Sequence, residues 1–303
     1  MTGAGGAAAP VVAVLGTGVM GAGMVASLRR AGLPVRMWNR DGRKARALTG
    51  TGAEAFDSPA EAAAGADVVL TVLLDADAVI DVIRRAAPAA GTPWLQCATV
   101  GLAGVDRVIA VAGELGLVLV DSPVLGTRKP AADGALVLLA SGPEEIRARL
   151  APVCDAIGRR TLWLGEAGAG SRLKLACNAW IFLLTAGVAQ SIALARGLGL
   201  DPQDFFRAIE GAPVDSAYAR AKGAAMLAGD HTVSFALAGA VKDLGLIRSA
   251  QQAAGVPDRL TAAVLETMAA AAERVDDAAA VDMAAVLEVL GADPALVPGD
   301  GRP

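Results

Sequence analysis

Val11-Val12-Ala13-Val14-Leu15-Gly16-Thr17-Gly18-Val19-Met20-Gly21 is the stretch on which the reading of this chain turns. Five apolar residues run straight into Gly-x-Gly-x-x-Gly, and an apolar pattern of Met20, Met24 and Leu28 then closes at Ala31-Gly32. That order predicts a strand, a tight turn and a helix. Each glycine has a physical task. Gly16 makes the turn, Gly18 lets the backbone approach a pyrophosphate, and Gly21 lets the helix pack on the strand. The unpaired N–H groups at the helix start suit phosphate oxygens. With 36 glycines in 303 residues a bare glycine pattern carries little weight. The strand before it and the helix after it make it a dinucleotide site.

The next apolar run, Pro34-Val35-Arg36-Met37-Trp38, ends in Asn39-Arg40. A site for NAD usually ends this strand in a carboxylate that accepts the ribose 2′-hydroxyl. None stands at the tip here, and Arg40 offers a planar fork that matches a 2′-phosphate, so NADP(H) is the expected cofactor. Arg43 and Lys44 either add positive charge there or are solvated charges opening the next helix.

A chain of 303 residues, 54% hydrophobic and 3% aromatic, is long enough for two domains with cores of Ala, Val and Leu. A net charge of −4 without a basic block makes nucleic acid an unsuitable partner. Cys97, Cys154 and Cys177 lie far apart, with neither disulfide-framework nor zinc spacing, and fit small core residues in a reducing, cytoplasmic compartment. His231 is the sole histidine and sits in a polar stretch, which excludes histidine triads and multi-histidine metal sites; no metal is expected. Met1–Pro10 lacks the features of a signal peptide. No charged residue occurs from Leu175 to Ala195, a length that would span a bilayer. The Asn178, Gln190 and small residues within it favour a helix of a soluble protein. Its uncharged surface is wider than one small helical domain covers, which predicts a homodimer.

Further strand-like runs are Asp67–Leu74, Trp94–Cys97, Leu117–Val120, Ala135–Ala140 and Thr161–Leu164, with helical patterns at Ala76–Ala87 and Ala103–Leu115 between them. Such alternation predicts an α/β fold with a parallel, doubly wound Rossmann-type sheet. From Ser171 onward the pattern is helical: Ser171–Gly197, Pro202–Glu210, Ser216–Leu227, Phe235–Ala254, Leu260–Ala272 and Ala278–Leu290. Asp201, Pro202 and Gly211 punctuate the second of these as cap, first residue and stop. The expected plan is a disordered N-terminus (1–10), an NADP-binding domain (11–168), a long interdomain helix (169–198), an all-helical C-terminal domain (199–291) and a flexible tail (292–303).

Ligands of doubly wound sheets bind at the carboxyl ends of the strands. Ala98-Thr99-Val100, Asp121-Ser122-Pro123-Val124-Leu125-Gly126-Thr127 and Gly168-x-Gly170-Ser171-x-x-Lys174-x-x-x-Asn178 are the segments that reach such ends or open the long helix. Lys174 and Asn178 share one helix face. Two readings of Lys174 stand open on spacing alone: a buried lysine tuned toward proton transfer, or a stem that snorkels to solvent.

Taken in order, the glycine turn, Asn39-Arg40, the loop from Asp121 to Gly126, Gly168-x-Gly170-x-x-x-Lys174-x-x-x-Asn178 and Phe235…Lys242-Asp243 resemble the β-hydroxyacid dehydrogenases. That is the family of 3-hydroxyisobutyrate dehydrogenase and tartronate semialdehyde reductase. The loop Pro123–Ala131 looks most like the glyoxylate/succinic semialdehyde reductase branch. The resemblance spans residues 10 to 290. It implies a catalytic set of Lys174, as general acid/base, with Asn178 and Asp243. It implies a cofactor set of Gly16, Gly18, Val19, Met20, Gly21, Asn39, Arg40, Leu73, Leu74, Thr99 and Lys242. Leu125, Gly126, Thr127 and Phe235 would contact the substrate. Read without the resemblance, Phe235 fits a core aromatic and Lys242-Asp243 a solvated helix face. One position departs from the family: Leu125 replaces the serine whose hydroxyl helps to hold a substrate carboxylate. Backbone N–H groups near Gly126 and the Thr127 hydroxyl are the remaining anion donors.

Three functions compete. The first is NADPH-dependent reduction of a small aldehyde or keto acid, or the reverse on a β-hydroxyacid. The second is reduction of a C=N bond, as in imine reductases, which Leu125 suits and Lys174 opposes. The third is a dinucleotide-binding scaffold without turnover.

Overall fold

The computed structural model describes residues 9–291, so the expected tail at 292–303 and all but the end of the expected disordered N-terminus lie outside the described residues. The chain divides into two compact units, residues 1–175 and 176–303.

In the first unit, strands β1 (Val12–Leu15), β2 (Val35–Trp38), β3 (Glu54–Ala55), β4 (Val68–Thr71), β5 (Pro93–Gln96) and β6 (Val118–Asp121) form a six-stranded sheet of order β3-β2-β1-β4-β5-β6. Every pairing in it is parallel. The crossovers carry helices α1 (Val19–Arg30), α2 (Gly42–Arg46), α3 (Pro59–Ala63), α4 (Ala76–Ala86) and α5 (Gly101–Glu114). Strand β1 shows why both faces are covered. Val12 and Val14 pack with Met24, Val25 and Leu28 of α1, whereas Ala13 and Leu15 pack with Val79 and Ile83 of α4 and Val105 and Val108 of α5. Side chains alternate along a strand, so a wholly apolar strand requires a layer on each side.

A second sheet was not foreseen. Strands β7 (Val124–Leu125), β8 (Leu136–Ala140) and β9 (Gly158–Trp163) pair in the order β7-β8-β9, antiparallel then parallel, with helices α6 (Arg128–Asp133) and α7 (Arg147–Ile157) between them. The runs at Ala135–Ala140 and Thr161–Leu164 therefore leave the main sheet, to which a lone antiparallel bridge between Asp121 and Ser141 ties them. Past β6 the chain runs on through Ser122-Pro123 into β7 in a single antiparallel register with β8 (Asp121 opposite Ser141, Val124 opposite Leu138), and the two-residue strand is too short to carry a periodicity signal. Arg159 and Arg160 hid the first half of β9.

Helix α8 (Ala169–Gly197) runs from the first unit into the second, which continues with α9 (Pro202–Ile209), α10 (Ala217–Ala228), α11 (Leu237–Ala253), α12 (Arg259–Ala272) and a 3₁₀ helix at Met283–Val289. The Asp201 carboxylate caps α9 by accepting from Gln203 N–H, Pro202 stands at its first position, and Gly211 follows its end with φ +69°. Two expected helices begin late. Phe235 precedes α11, and residues 278–282 are not helical, because the Asp282 carboxylate takes up the amides of Ser234, Phe235 and Ala284. Helix α8 is long and apolar enough to cross a membrane by length and composition, and 39% of its most apolar window is buried within the chain.

Candidate active site

The glycine turn at the end of β1 is built as its sequence demands. Gly16 has φ +111°, and a Cβ there would stand 2.4 Å from Val72 O. A Cβ on Gly21 would stand 2.0 Å from Gly16 O, so neither position admits another residue. A Cβ on Gly18, by contrast, would meet nothing within 4 Å. Gly18 is the N-cap of α1, whose first turn has no side-chain cap and no acidic residue. Open space before uncapped amides is the shape a pyrophosphate requires, so the residues fit a dinucleotide. Val19 is exposed and Met20 half-buried on that turn, while Leu73 packs against Gly16 and Leu74 is exposed.

At the tip of β2 the two candidates divide. Asn39 Oδ1 accepts from Thr17 N–H at 3.0 Å, and its Nδ2 donates to Asp41 O at 3.1 Å, so Asn39 ties the glycine turn to this strand. Arg40 is exposed and pairs with no carboxylate among the described residues. Arg43 is held by Asp41 at 2.9 Å, which lowers the pKa of the carboxyl and raises that of the guanidinium. Thr99, half-buried, follows the end of β5. The turn before it is braced by the buried Gln96, which both accepts from Ala98 N–H (2.6 Å) and donates to Ala98 O (2.9 Å). Sequence reasoning missed Gln96, although a polar residue inside a buried strand was the available signal.

Lys174 is only 6% exposed, and its Nζ donates to Val124 O at 2.8 Å. The snorkelling alternative therefore does not hold. Its helix is anchored one turn earlier by Asp121, to which no role had been given. Ser171 donates its N–H to Asp121 Oδ2 and its hydroxyl to Oδ1, both at 2.8 Å. Gly170 permits that approach, since a Cβ there would be 2.0 Å from Leu139 O. Burial raises the Asp121 pKa, and the Ser171, Ser141 and Gly168 hydrogen bonds oppose it. Leu125 is the next residue after the carbonyl that holds Lys174. It is half-buried, while Val124 belongs to the core. Gly126 has φ +130°, and the Thr127 hydroxyl does not cap α6.

In the second unit, Asn178 lies one turn beyond Lys174 on α8 and is fully buried. Its Nδ2 donates to Asp243 Oδ2 at 2.8 Å, while its Oδ1 is buried with no hydrogen-bond partner among the described residues. Lys242 Nζ lies 2.9 Å from Asp243 Oδ1. Asp243 is thus a buried, paired carboxylate rather than part of a solvated face. Phe235 packs edge-on against Phe182, with centroids 5.5 Å apart, and is half-buried rather than a core aromatic. Burial pushes the Cys97 thiol well up and that of Cys154 to about 12, which removes both as thiolate nucleophiles. Among the described residues no cluster of His, Cys, Asp and Glu could hold a metal ion.

Comparison with known proteins agrees with the fold. A protein-family model described as the NAD binding domain of 6-phosphogluconate dehydrogenase matches residues 11–165. One described as NAD-binding of NADP-dependent 3-hydroxyisobutyrate dehydrogenase matches residues 168–290. The chain is 30% identical to glyoxylate/succinic semialdehyde reductase 2, chloroplastic, of Arabidopsis thaliana over 87% of this chain and 80% of that protein. The solved 3-hydroxyisobutyrate dehydrogenase of Mycobacterium tuberculosis with L-serine superposes with TM-score 0.83 at 29% identity, covering 94% of this chain and 100% of that one. An imine reductase from Pseudomonas sp. shares the fold at TM-score 0.63 and 22% identity, over 93% and 99% of the two chains. Sheet order, glycine turn and these matches define an NAD(P)-dependent oxidoreductase with a parallel sheet followed by a helical C-terminal part. Within that class, the chain belongs to the β-hydroxyacid dehydrogenase family.

Proposed function

We propose that this protein reduces a small aldehyde or keto acid with NADPH, or oxidises the corresponding β-hydroxyacid, with Lys174 as general acid/base. The observation that carries the reading is the buried Lys174 ammonium on Val124 O, one turn before the buried Asn178–Asp243 pair. The reduced nicotinamide supplies the hydride when bound. Lys174 Nζ donates the proton that the substrate oxygen gains as the carbonyl becomes an alcohol. The Val124 carbonyl aims that ammonium, and the Asp121–Ser171 bonds fix the helix turn from which it projects. Asn178 Oδ1, buried without a partner among the described residues, accepts from a substrate hydroxyl, while Asp243 fixes the orientation of the Asn178 amide. In the first unit, Gly126 N–H with the Thr127 hydroxyl would receive an anionic group; in the second, Phe235 would offer an apolar surface to the substrate.

Residues Gly16, Gly18, Val19, Met20 and Gly21 would hold the pyrophosphate, and Leu73, Leu74, Thr99 and Lys242 would line the remainder of the cofactor. Arg40, exposed and without a carboxylate partner among the described residues, supports NADP(H) through the 2′-phosphate. Asn39 acts at one remove, by fixing the turn. In this reading residues 11–168 form the cofactor domain and 199–291 the helical domain. The exposed Trp180 and Leu194 of α8 support a homodimer of a soluble protein, and three unpaired cysteines fit the cytoplasm. A second reading, reduction of a C=N bond, is favoured by the half-buried Leu125 in place of a hydroxyl. NADPH oxidation measured against parallel panels of small aldehydes, keto acids and cyclic imines tests both. Turnover of carbonyls supports the first, turnover of imines alone the second, and no turnover defeats both.

A further inference from the structure

Two charged side chains outside the site just described are buried in the second unit. Lys222 on α10 is 5% exposed and Asp282, ahead of the 3₁₀ helix, 2%. Their Nζ–Oδ1 distance is 2.5 Å. The same carboxylate collects four further donors. Oδ1 accepts from Ala284 N–H at 2.9 Å. Oδ2 accepts from Ser234 N–H (2.8 Å), the Ser234 hydroxyl (2.8 Å) and Phe235 N–H (2.9 Å). Lys222 Nζ also donates to Ser234 Oγ at 3.0 Å. Backbone bonds from Asp282 N to His231 O, Met283 N to Phe235 O and Leu237 N to Val281 O continue the seam on both sides.

An ion pair this deep is a poor route to stability, because desolvation offsets most of the attraction and an apolar pair of equal volume would serve as well. What it does supply is geometry. Every oxygen site of Asp282 is committed, and the donors come from three separate chain segments. One of those segments carries Phe235. Its neighbour Leu237 opens α11, the helix that bears Asp243.

We propose that the Lys222–Asp282 pair is a positioning device for the substrate site, pinning Ser234–Leu237 so that Phe235 and the start of α11 keep one arrangement. The inference rests on the reading of Phe235 and Asp243 as substrate-site residues. Burial pushes the Asp282 pKa up, and the Lys222 ammonium with the Phe235 and Ala284 amides more than offsets it. Without Lys222 the carboxylate loses its buried counter-charge and Ser234 Oγ loses the donor that ties it to the same ammonium, so the seam loosens at Ser234–Phe235. The pin opens at Phe235.

The test combines kinetics with amide hydrogen exchange on the full-length chain. Lys222→Met should raise KM for the carbonyl substrate about ten-fold or more, with kcat within about three-fold and NADPH Kd within about two-fold. Lys222→Met/Asp282→Asn removes both charges, so thermal stability should return toward wild type. KM should stay raised, because an Asn oxygen serves only one side of the seam while its amide opposes the other. KM returning to wild type together with stability would reduce the pair to packing and overturn the proposal. Ser234→Ala is mild enough to fold whatever Lys222→Met does, and should raise KM roughly three- to ten-fold by removing the two charge-assisted bonds of its hydroxyl, to Asp282 and from Lys222. An unchanged KM there also overturns it. Exchange at residues 234–237 should accelerate about ten-fold or more in these variants, with α12 unaffected. If the wild type turns over no substrate, the functional reading fails by itself. Exchange then decides whether the pin exists, and unchanged protection at 234–237 denies it.

Discussion

Asp121→Ala and Asp121→Asn should part company. Wild-type Asp121 accepts two hydrogen bonds of 2.8 Å from Ser171 at the start of α8. Alanine leaves the buried Ser171 N–H without an acceptor, a penalty of about 1–3 kcal/mol, and forfeits a second charge-assisted bond of about 1.5–3 kcal/mol. Relief of a buried charge returns part of that sum, so the net loss should be about 2–4 kcal/mol. Asparagine can keep both contacts. Its Oδ1 accepts from Ser171 N–H, and the serine hydroxyl reverses to accept from Nδ2, at a cost of about 0–1 kcal/mol. The pH response gives an independent check. Burial raises the Asp121 pKa in the folded chain, so the folded state holds its proton more tightly than the unfolded one. That contribution is full below the unfolded carboxyl value and is lost as pH rises through the folded one. Asp121→Asn should therefore gain on wild type between acid and neutral pH. Urea unfolding followed by tryptophan fluorescence measures both effects, since Trp38, Trp94 and Trp163 all lie in the first unit. An alanine variant within about 0.5 kcal/mol of wild type, or an asparagine variant as damaged as alanine, refutes the anchoring argument.

Three other outcomes are expected. Arg40→Ala should weaken NADPH binding about ten- to a hundred-fold and leave NADH binding nearly unchanged, as read by cofactor fluorescence titration; equal losses make Arg40 structural. Leu125→Ser should raise kcat/KM on glyoxylate or succinic semialdehyde roughly ten- to a hundred-fold, the worth of one hydrogen bond to a charged group. An unaltered substrate profile would show that residue 125 does not meet the substrate. Light scattering should give a dimer at micromolar concentration, and Trp180→Asp, at a side chain 65% exposed on α8, should dissociate it. A monomeric wild type contradicts the dimer.

Much of the first unit was legible because its strands are apolar on both faces and its turns need glycine. Gly16 and Gly21 are readable from the sequence as backbone requirements, and the structure gives the clashes that enforce them. The second sheet was not legible, since Val124-Leu125 is too short to show a period and β9 opens on two arginines. Of the site, Lys174 and Asn178 were visible as a polar pair on an apolar helix. Their partners were not, because Val124 contributes a backbone carbonyl and Asp243 stands 65 residues from Asn178. Tertiary hydrogen bonding also decided where helices begin. Asp282 draws the amides of Ser234 and Phe235 out of a pattern that read as helical from Phe235.

The central claim is that Lys174 moves the proton. Its most direct test is the pH dependence of NADPH turnover in Lys174→Ala beside wild type, with NADPH binding measured on the same samples. The account predicts cofactor affinity near wild type, turnover lower by about 10²–10⁴-fold, and loss of the pH limb that belongs to the lysine. Turnover within a few-fold of wild type with that limb intact would place the proton donor elsewhere and contradict it.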